Sequence, residues 1–134
     1  MIDFNDIRAG NQVFFNASGA TVTILKVETD AVLLDTFPQS SHCLNNDISG
    51  IPLTDAMLRK LSFENEGADV WVGEGITIHE KEHGIFYGLR ISKSRAKIQY
   101  LHQLQNYVTD FYALFRGKDH SLDISYLTDL PVYR

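Results

Sequence analysis

The stretch ATVTILKVETDAVLLDT (Ala20 to Thr36) decides the class of fold that this sequence predicts. Its two halves, Ala20–Glu28 and Ala31–Thr36, are rich in β-branched and aliphatic residues, and they predict two strands joined tightly at Thr29-Asp30. A shorter apolar run, Gln12–Phe15, predicts a strand before them, and the turn residues Asn16–Gly19 separate it from the longer stretch. The three strands predict a meander, as in a small curled sheet that resembles a Src-homology-type barrel.

The segment that follows the meander contains few strand or helix signals. Residues Phe37–Asp47 are polar and irregular, and they predict a loop. Gly50 and Pro52 oppose a helix, so the chain should be extended up to Thr54. Thr54 is a suitable N-cap for a helix of about two turns that carries Met57, Leu58 and Leu61 on one side. Residues Glu64–Asp69 predict a second polar loop.

The C-terminal half changes from a two-residue to a helical period. Ile76 and Ile78 alternate with polar residues, and the same alternation continues from Ile85 to Ile91, as in half-buried strands. From Lys97 onward, apolar residues recur at helical spacing up to a C-cap at Gly117; they are Ile98, Leu101, Leu104, Val108, Phe111, Tyr112 and Phe115. The segment from Ser121 to Leu130 predicts one short strand and a tail.

These patterns predict a β-rich α+β fold. A small, curled, barrel-like sheet should occupy residues 1–50. A second β-sheet that carries one long C-terminal helix should occupy residues 51–134. We expect the two parts to form one compact unit, because 134 residues suit one domain or two very small ones packed together.

Composition restricts the setting of the protein. The formal net charge is -5, which opposes general binding to nucleic-acid phosphates. The single cysteine, Cys43, cannot form an internal disulfide. The first residues lack the pattern of a signal peptide, and no apolar stretch reaches the roughly 20 residues needed to span a bilayer. We therefore expect a cytoplasmic protein without membrane contact.

The most conspicuous motif is His79-Glu80-Lys81-Glu82-His83, which matches the H-E-x-x-H signature of zinc proteases. That motif requires a helix, because only a helix places residues four apart on one face. Here Ile76-Thr77-Ile78 precedes the motif and Gly84 follows it, which predicts a strand and a hairpin turn with Gly84 in the left-handed position. We therefore expect no shared metal at His79 and His83.

No other pattern predicts catalytic chemistry. His42 and Cys43 are adjacent, so in an extended segment they should point to opposite faces and cannot form a thiol–imidazole pair. The Gly73-Glu74-Gly75 sequence lacks both the third glycine and the following helix of a phosphate-binding loop. The sequence thus indicates no catalytic residue, no metal site and no cofactor.

Three stretches resemble a family of short uncharacterised proteins from Bacteroides-group bacteria and their phages. They are DIRAGNQV (Asp6–Val13), the segment with IPLT and FE (Ile51–Glu64), and the HQLQN helix with its flanks (Ile98–Ile124). About half of the chain takes part, and the Trp71–Ile91 sheet does not. The family has no established activity, so the resemblance implies a bacterial or phage lineage and a cytoplasmic setting, and it assigns no functional residue.

Three hypotheses for function remain. The first is a non-enzymatic interaction or structural module that binds a protein partner, or a second copy, through an exposed polar face of the long helix, formed by His102, Gln105, Asn106 and Thr109. The second is a nucleic-acid-associated small-barrel protein that uses the basic residues Arg90, Lys93, Arg95 and Lys97. The third is a zinc hydrolase that uses the H-E-x-x-H match. We favour the first.

Overall fold

The structure is a computed structural model that describes residues 6–29, 31–36, 39–44, 47–89, 97–125 and 127. The chain divides into two compact units. The first continues through Ile51, and the second begins at Pro52. Each unit has its own five-stranded sheet.

The first unit is a curled, half-barrel sheet of five antiparallel strands. Its spatial order is β4-β3-β2-β1-β5. The strands are β1 (Gln12–Phe15), β2 (Ala20–Val27), β3 (Val32–Thr36), β4 (Gln39–Cys43) and β5 (Ile48–Ser49). The three-stranded meander that the sequence predicts is confirmed. A bulge between Ile24 and Lys26 makes Leu25 the extra residue of β2, and bulges of this kind bend a strand.

Side chains that alternate between a buried and a less buried face along these strands supply the core of the first unit. Val22 and Ile24 of β2 are buried, as are Val32 and Leu34 of β3, because every second side chain of a strand points to the same face. The cluster is completed by Ile7, Val13, Cys43 and Ile48. Burial of aliphatic side chains stabilises the unit by about 1.5–3 kcal/mol for each large residue.

The predicted loop at Phe37–Asp47 is wrong for its central part. Residues Gln39–Cys43 form β4, which pairs with β3 from Thr36 opposite Gln39 to Val32 opposite Cys43. Its sequence has little intrinsic strand preference. β4 forms because β3 offers a complete row of backbone partners, and because Cys43 joins the core. Phe37, Pro38, Asn45 and Asn46 lie outside the described residues.

The second unit contains an antiparallel sheet with the order β10-β9-β8-β7-β6. The strands are β6 (Glu64–Asn65), β7 (Val70–Gly73), β8 (Ile76–Glu82), β9 (Ile85–Tyr87) and β10 (Lys97–Ile98). The predicted alternation is present in β8, because Ile76 and Ile78 are buried while Thr77 and His79 are exposed. Its predicted continuation from Ile85 is wrong, because β9 ends at Tyr87 and buries Phe86 on the opposite face. The predicted polar loop at Glu64–Asp69 is wrong at its first two residues, which pair with β7.

Helix α1 (Asp55–Lys60) begins where the sequence predicts it. Thr54 is extended, and its hydroxyl accepts a hydrogen bond from the Met57 N–H at 3.1 Å. Such a cap stabilises a helix by about 1 kcal/mol. Leu58 and Leu61 are fully buried and Met57 is half-buried, so the predicted apolar side is confirmed.

Helix α2 (Leu101–Phe115) follows Tyr100, whose backbone is extended. The Gln103 side chain caps its start, because Oε1 accepts hydrogen bonds from the N–H groups of Gln99 at 2.8 Å and Tyr100 at 3.1 Å. The predicted helical period includes Ile98, which is wrong, since Ile98 lies in β10 and pairs with Phe86. The predicted end at Gly117 is confirmed to within one residue.

The stripe predicted to face the core is confirmed in its first two turns. Leu101, Leu104 and Val108 are fully buried, whereas Phe111 is half-buried and Phe115 is 50% exposed. The described part of the last segment, residues 121–125 and 127, contains no strand, and the rest of the segment in which a short strand is predicted lies outside the described residues. The α+β class, with a curled first sheet, a second sheet and one long helix, is confirmed. Neither of the two helices found in the described residues is long and apolar enough to cross a membrane.

Candidate functional site

Polar side chains gather at the turn between β7 and β8 and at the end of α2. The two-residue turn consists of Glu74 and Gly75, with φ angles of 52° and 69°. Positive φ is uncommon for a residue with a side chain, and glutamate is not among the types that adopt it readily. Contacts to α2 and to the segment after it offset this cost. The turn is therefore a position where the fold holds a strained residue in place.

Two side chains fix Glu74. The Tyr112 hydroxyl donates a hydrogen bond to the Glu74 carbonyl oxygen at 2.7 Å. His120 Nε2 lies 2.8 Å from Glu74 Oε2, and both side chains are partly shielded, with 36% and 19% exposure. The His120 and Tyr112 rings are also in contact, with centroids 4.2 Å apart. We call Glu74, Tyr112 and His120 the turn clamp.

Arg116 covers the outside of the turn clamp. Its guanidinium carbon lies 5.8 Å from the centre of the Tyr112 ring, within the range of a cation–π contact. A Cβ atom at Gly75 would lie 3.3 Å from Arg116 Nη2, so the guanidinium also approaches the turn closely. This interaction is expected to contribute about 0.5–1 kcal/mol, because the site is exposed.

The turn clamp contains an imidazole–carboxylate pair, which in enzymes can orient a general base. A hydrolytic site also needs a nucleophile or a metal ion near the imidazole. Glu74 is the one described hydrogen-bonding partner of the His120 side chain. Within the described ranges, no group of three or more His, Cys, Asp or Glu side chains is placed to hold a metal ion. We therefore interpret the turn clamp as a structural contact that holds the end of α2 against the β7–β8 turn.

Beside the turn clamp, α2 ends in an exposed apolar surface. Leu114 is 55% exposed and Phe115 is 50% exposed. The Phe111 ring is half-buried and lies 4.9 Å from the Phe115 ring, so the three side chains belong to one end of the helix. We call Phe111, Leu114 and Phe115 the apolar end of α2. Adjoining exposed apolar side chains make this end of the helix a candidate contact site.

The polar helix face predicted from the sequence is not an exposed face. His102 is 1% exposed and Gln105 is 9% exposed, so the predicted exposure of these two residues is wrong. Asn106 and Thr109 are half-buried. The reason is the width of the buried arc: Leu101, His102, Leu104, Gln105, Tyr107 and Val108 are all buried, and at about 100° per residue they cover more than half of the helix circumference.

His102 is the most unusual member of this buried set. Its ring stacks on Tyr100 with centroids 5.8 Å apart and planes 7° from parallel. Its Nδ1 atom is buried without a hydrogen-bonding partner. Burial lowers the pKa of the imidazole from 6.5 to about 4, because the charged form would lose its hydration. His102 is therefore a neutral core residue near pH 7.

The H-E-x-x-H match lies in a hairpin, as predicted. His79 is in β8 and pairs with Val70 and Tyr87, and His83 lies in the turn with a fully exposed side chain. Gly84 follows with a φ of 81°, the left-handed conformation that a tight turn needs there. The Gly84 N–H donates a hydrogen bond to Glu80 Oε2 at 3.0 Å, so Glu80 closes the turn.

Two further groups from the sequence have clear positions. His42 is exposed and lies 3.0 Å from Glu28 Oε1, whereas Cys43 is buried, so the two side chains diverge as predicted. Burial, with a smaller contribution from Asp47, raises the pKa of the Cys43 thiol. Of the proposed basic group, Lys97 is exposed at the start of β10, and Arg90, Lys93 and Arg95 lie outside the described residues.

Comparison of the chain with protein-family models, with curated proteins and with solved structures finds no match in any of the three. The resemblance to the Bacteroides-group family therefore stays a prediction. The sequence does not indicate the apolar end of α2, because Phe115 lies on the apolar stripe and is predicted to be buried. Leu114 falls off that stripe, and this is the signal in the sequence that could have indicated an exposed apolar residue.

Proposed function

We propose that this protein is a non-enzymatic interaction module, and that the apolar end of α2 is its contact surface for a protein partner. The observation that carries the proposal is the combination of exposure and rigidity. Leu114 and Phe115 are half or more exposed. The turn clamp fixes the same end of the helix through Tyr112, Glu74 and His120. A pre-organised apolar surface loses little conformational entropy when a partner binds.

Charge and setting support the choice of partner. Arg116 and Lys118 are exposed directly after the apolar end of α2. A protein surface with apolar and acidic side chains would complement both features. The cytoplasmic setting and the bacterial or phage lineage belong to the same proposal, and they rest on the single cysteine and on the resemblance.

The test is affinity capture from bacterial host cells with the parent chain and with Leu114→Asp/Phe115→Asp. We expect the parent to retain a discrete protein that the double variant loses. The matched control is Leu25→Asp, because Leu25 is also 45% exposed but lies in the first unit. Circular dichroism should show that all three chains are folded. Equal capture by the parent and the double variant would contradict the proposed surface.

The same purified protein can be used to test the two alternative functions. Nucleic-acid binding through the Arg90–Lys97 segment would be measured as salt-dependent anisotropy of a labelled oligonucleotide, and neutralising its basic residues would reduce the salt slope. A zinc hydrolase would retain stoichiometric zinc that His83→Ala releases. Either result would replace the interaction module as the function of this protein.

A further inference from the structure

The outermost strand of the first sheet, β4, has one paired edge and one outer edge. All five of its residues pair with β3 in an unbroken register. The other outer strands found in the described residues, β5, β6 and β10, have two residues each. Within the described part of the chain, β4 is therefore the outer strand with the length to accept a further strand.

The sequence and register of β4 also lack several of the features that protect edge strands. Proteins usually block a long edge with lysine, proline, a bulge or a short strand length. The sequence Gln-Ser-Ser-His-Cys contains no lysine and no proline, and its register has no bulge. No backbone hydrogen bond described for β4 reaches a segment other than β3. Such an edge is a template for strand addition.

We propose that β4 pairs in antiparallel orientation with β4 of a second copy, across a twofold axis at Ser41, so that two sheets become one. A twofold contact of this kind is self-complementary, since each strand offers the same row of donors and acceptors to the other. β4 carries no Asp, Glu, Lys or Arg, so no such like charges meet. His42 is already paired with Glu28 at 3.0 Å.

Ser41 suits the position on the axis. It lies opposite Leu34 in the middle of the β3–β4 ladder, and its hydroxyl lies 2.6 Å from Thr36 Oγ1. Its small side chain would meet its own copy without steric conflict. An unrelated extended peptide would use the same backbone groups, and it is one of the outcomes that the experiment separates. This contact belongs to the first unit and does not depend on the apolar end of α2.

The first measurement is the mass of the intact protein in solution by sedimentation equilibrium. We expect a dimer fraction that increases with protein concentration, both in the parent and in Leu114→Asp/Phe115→Asp. A monomer at every concentration up to the millimolar range would overturn the proposal. A dimer that the double variant abolishes would also overturn it, because the contact would then lie at α2.

The second measurement traps the predicted register with a disulfide. In Ser41→Cys/Cys43→Ser, residue 41 meets its own copy, and mild oxidation should cross-link most of the dimer. The matched control is His83→Cys/Cys43→Ser, because His83 is fully exposed in a turn of the other unit. Cross-linking no greater than in this control would contradict the twofold axis at Ser41.

The third measurement is amide hydrogen exchange on the parent chain, which requires no substitution. Exchange at β4 should slow as protein concentration rises, while exchange at β8 should not change. Protection of β4 that is independent of concentration would mean that the edge is not covered by a second copy. That result would overturn the proposal, as would protection that appears only after an added peptide binds.

Discussion

The Tyr112 hydroxyl donates a hydrogen bond to the main-chain carbonyl of Glu74 at 2.7 Å, and this bond joins the end of α2 to the β7–β8 turn. Residues 74 and 112 are far apart in the sequence, so the hydrogen bond joins the two ends of a long intervening segment. It also supports a glutamate whose φ is 52°. The stability of the turn should therefore depend on a hydroxyl group in the helix.

Removal of that hydroxyl in Tyr112→Phe should destabilise the protein by about 1 kcal/mol, the usual net value of one hydrogen bond. Urea denaturation measures the change, and amide exchange at Gly75 and Ile76 should become faster. Tyr87→Phe is the control, because Tyr87 is exposed and no partner is described for its hydroxyl. An unchanged denaturation midpoint in Tyr112→Phe would show that the clamp does not stabilise the turn.

The same substitution at two positions of α2 should have very different effects. Leu104 is fully buried, so Leu104→Ala should reduce the free energy of unfolding by about 2–5 kcal/mol. Leu114 is 55% exposed, so Leu114→Ala should change it by less than about 0.5 kcal/mol. Guanidinium denaturation of both variants measures the difference. Equal losses would mean that Leu104 is not on the buried side of the helix.

Gly88 allows Tyr107 to reach the backbone. The Tyr107 hydroxyl donates a hydrogen bond to the Leu89 carbonyl oxygen at 2.6 Å, and a Cβ atom at residue 88 would lie 2.6 Å from both Cζ and Oη of Tyr107. Gly88→Ala should therefore cost about 1–3 kcal/mol through steric conflict. Addition of Tyr107→Leu should relieve part of the clash. The double variant should therefore lose less unfolding free energy than the two single variants lose in sum. Strict additivity, measured by thermal denaturation, would argue against this contact.

Protonation of His102 should destabilise the folded protein. Its pKa is about 4 in the folded state and 6.5 in the reference state, so the unfolded chain binds the proton more tightly. The contribution of the neutral imidazole is fully present above about pH 6.5, decreases as the pH falls, and is lost near pH 4 and below. This difference between the folded and unfolded pKa of His102 corresponds to about 3 kcal/mol.

The measurement for His102 is the free energy of unfolding between pH 7 and pH 4. His102→Phe should remove much of the slope in this range, whereas His83→Ala should retain it, because His83 is fully exposed. All other titratable groups are common to the parent and His102→Phe, so a difference in slope between these two chains belongs to residue 102. A parent and a His102→Phe variant with parallel pH profiles would contradict the assignment.

The fold could be predicted from local signals where residues carry strong preferences. The β-branched residues of Ala20–Val27, the cap at Thr54 and the turn at Gly84 each determine local structure by their own chemistry. β4 could not be predicted in this way, because glutamine, serine and histidine have little strand preference. Its strand conformation depends on the backbone partners in β3, which lie in another segment.

The candidate site was less accessible to sequence analysis. Helical periodicity predicts the direction of an apolar stripe, but not how far the surrounding chain encloses the helix. Periodicity therefore predicts an exposed polar surface at His102 and Gln105, although both residues are buried. The turn clamp joins Glu74 to Tyr112 and His120 across two long segments of the chain, and no local pattern indicates such a contact.

The most direct test of the proposed interaction module is site-specific photo-cross-linking in living host cells. A photoreactive phenylalanine analogue is introduced at Leu114 and, as the matched control, at Leu25, since both side chains are about half exposed and lie in different units. We expect one dominant cross-linked protein from position 114 that is absent from position 25. Cross-links from position 25 alone, or none from position 114, would contradict it.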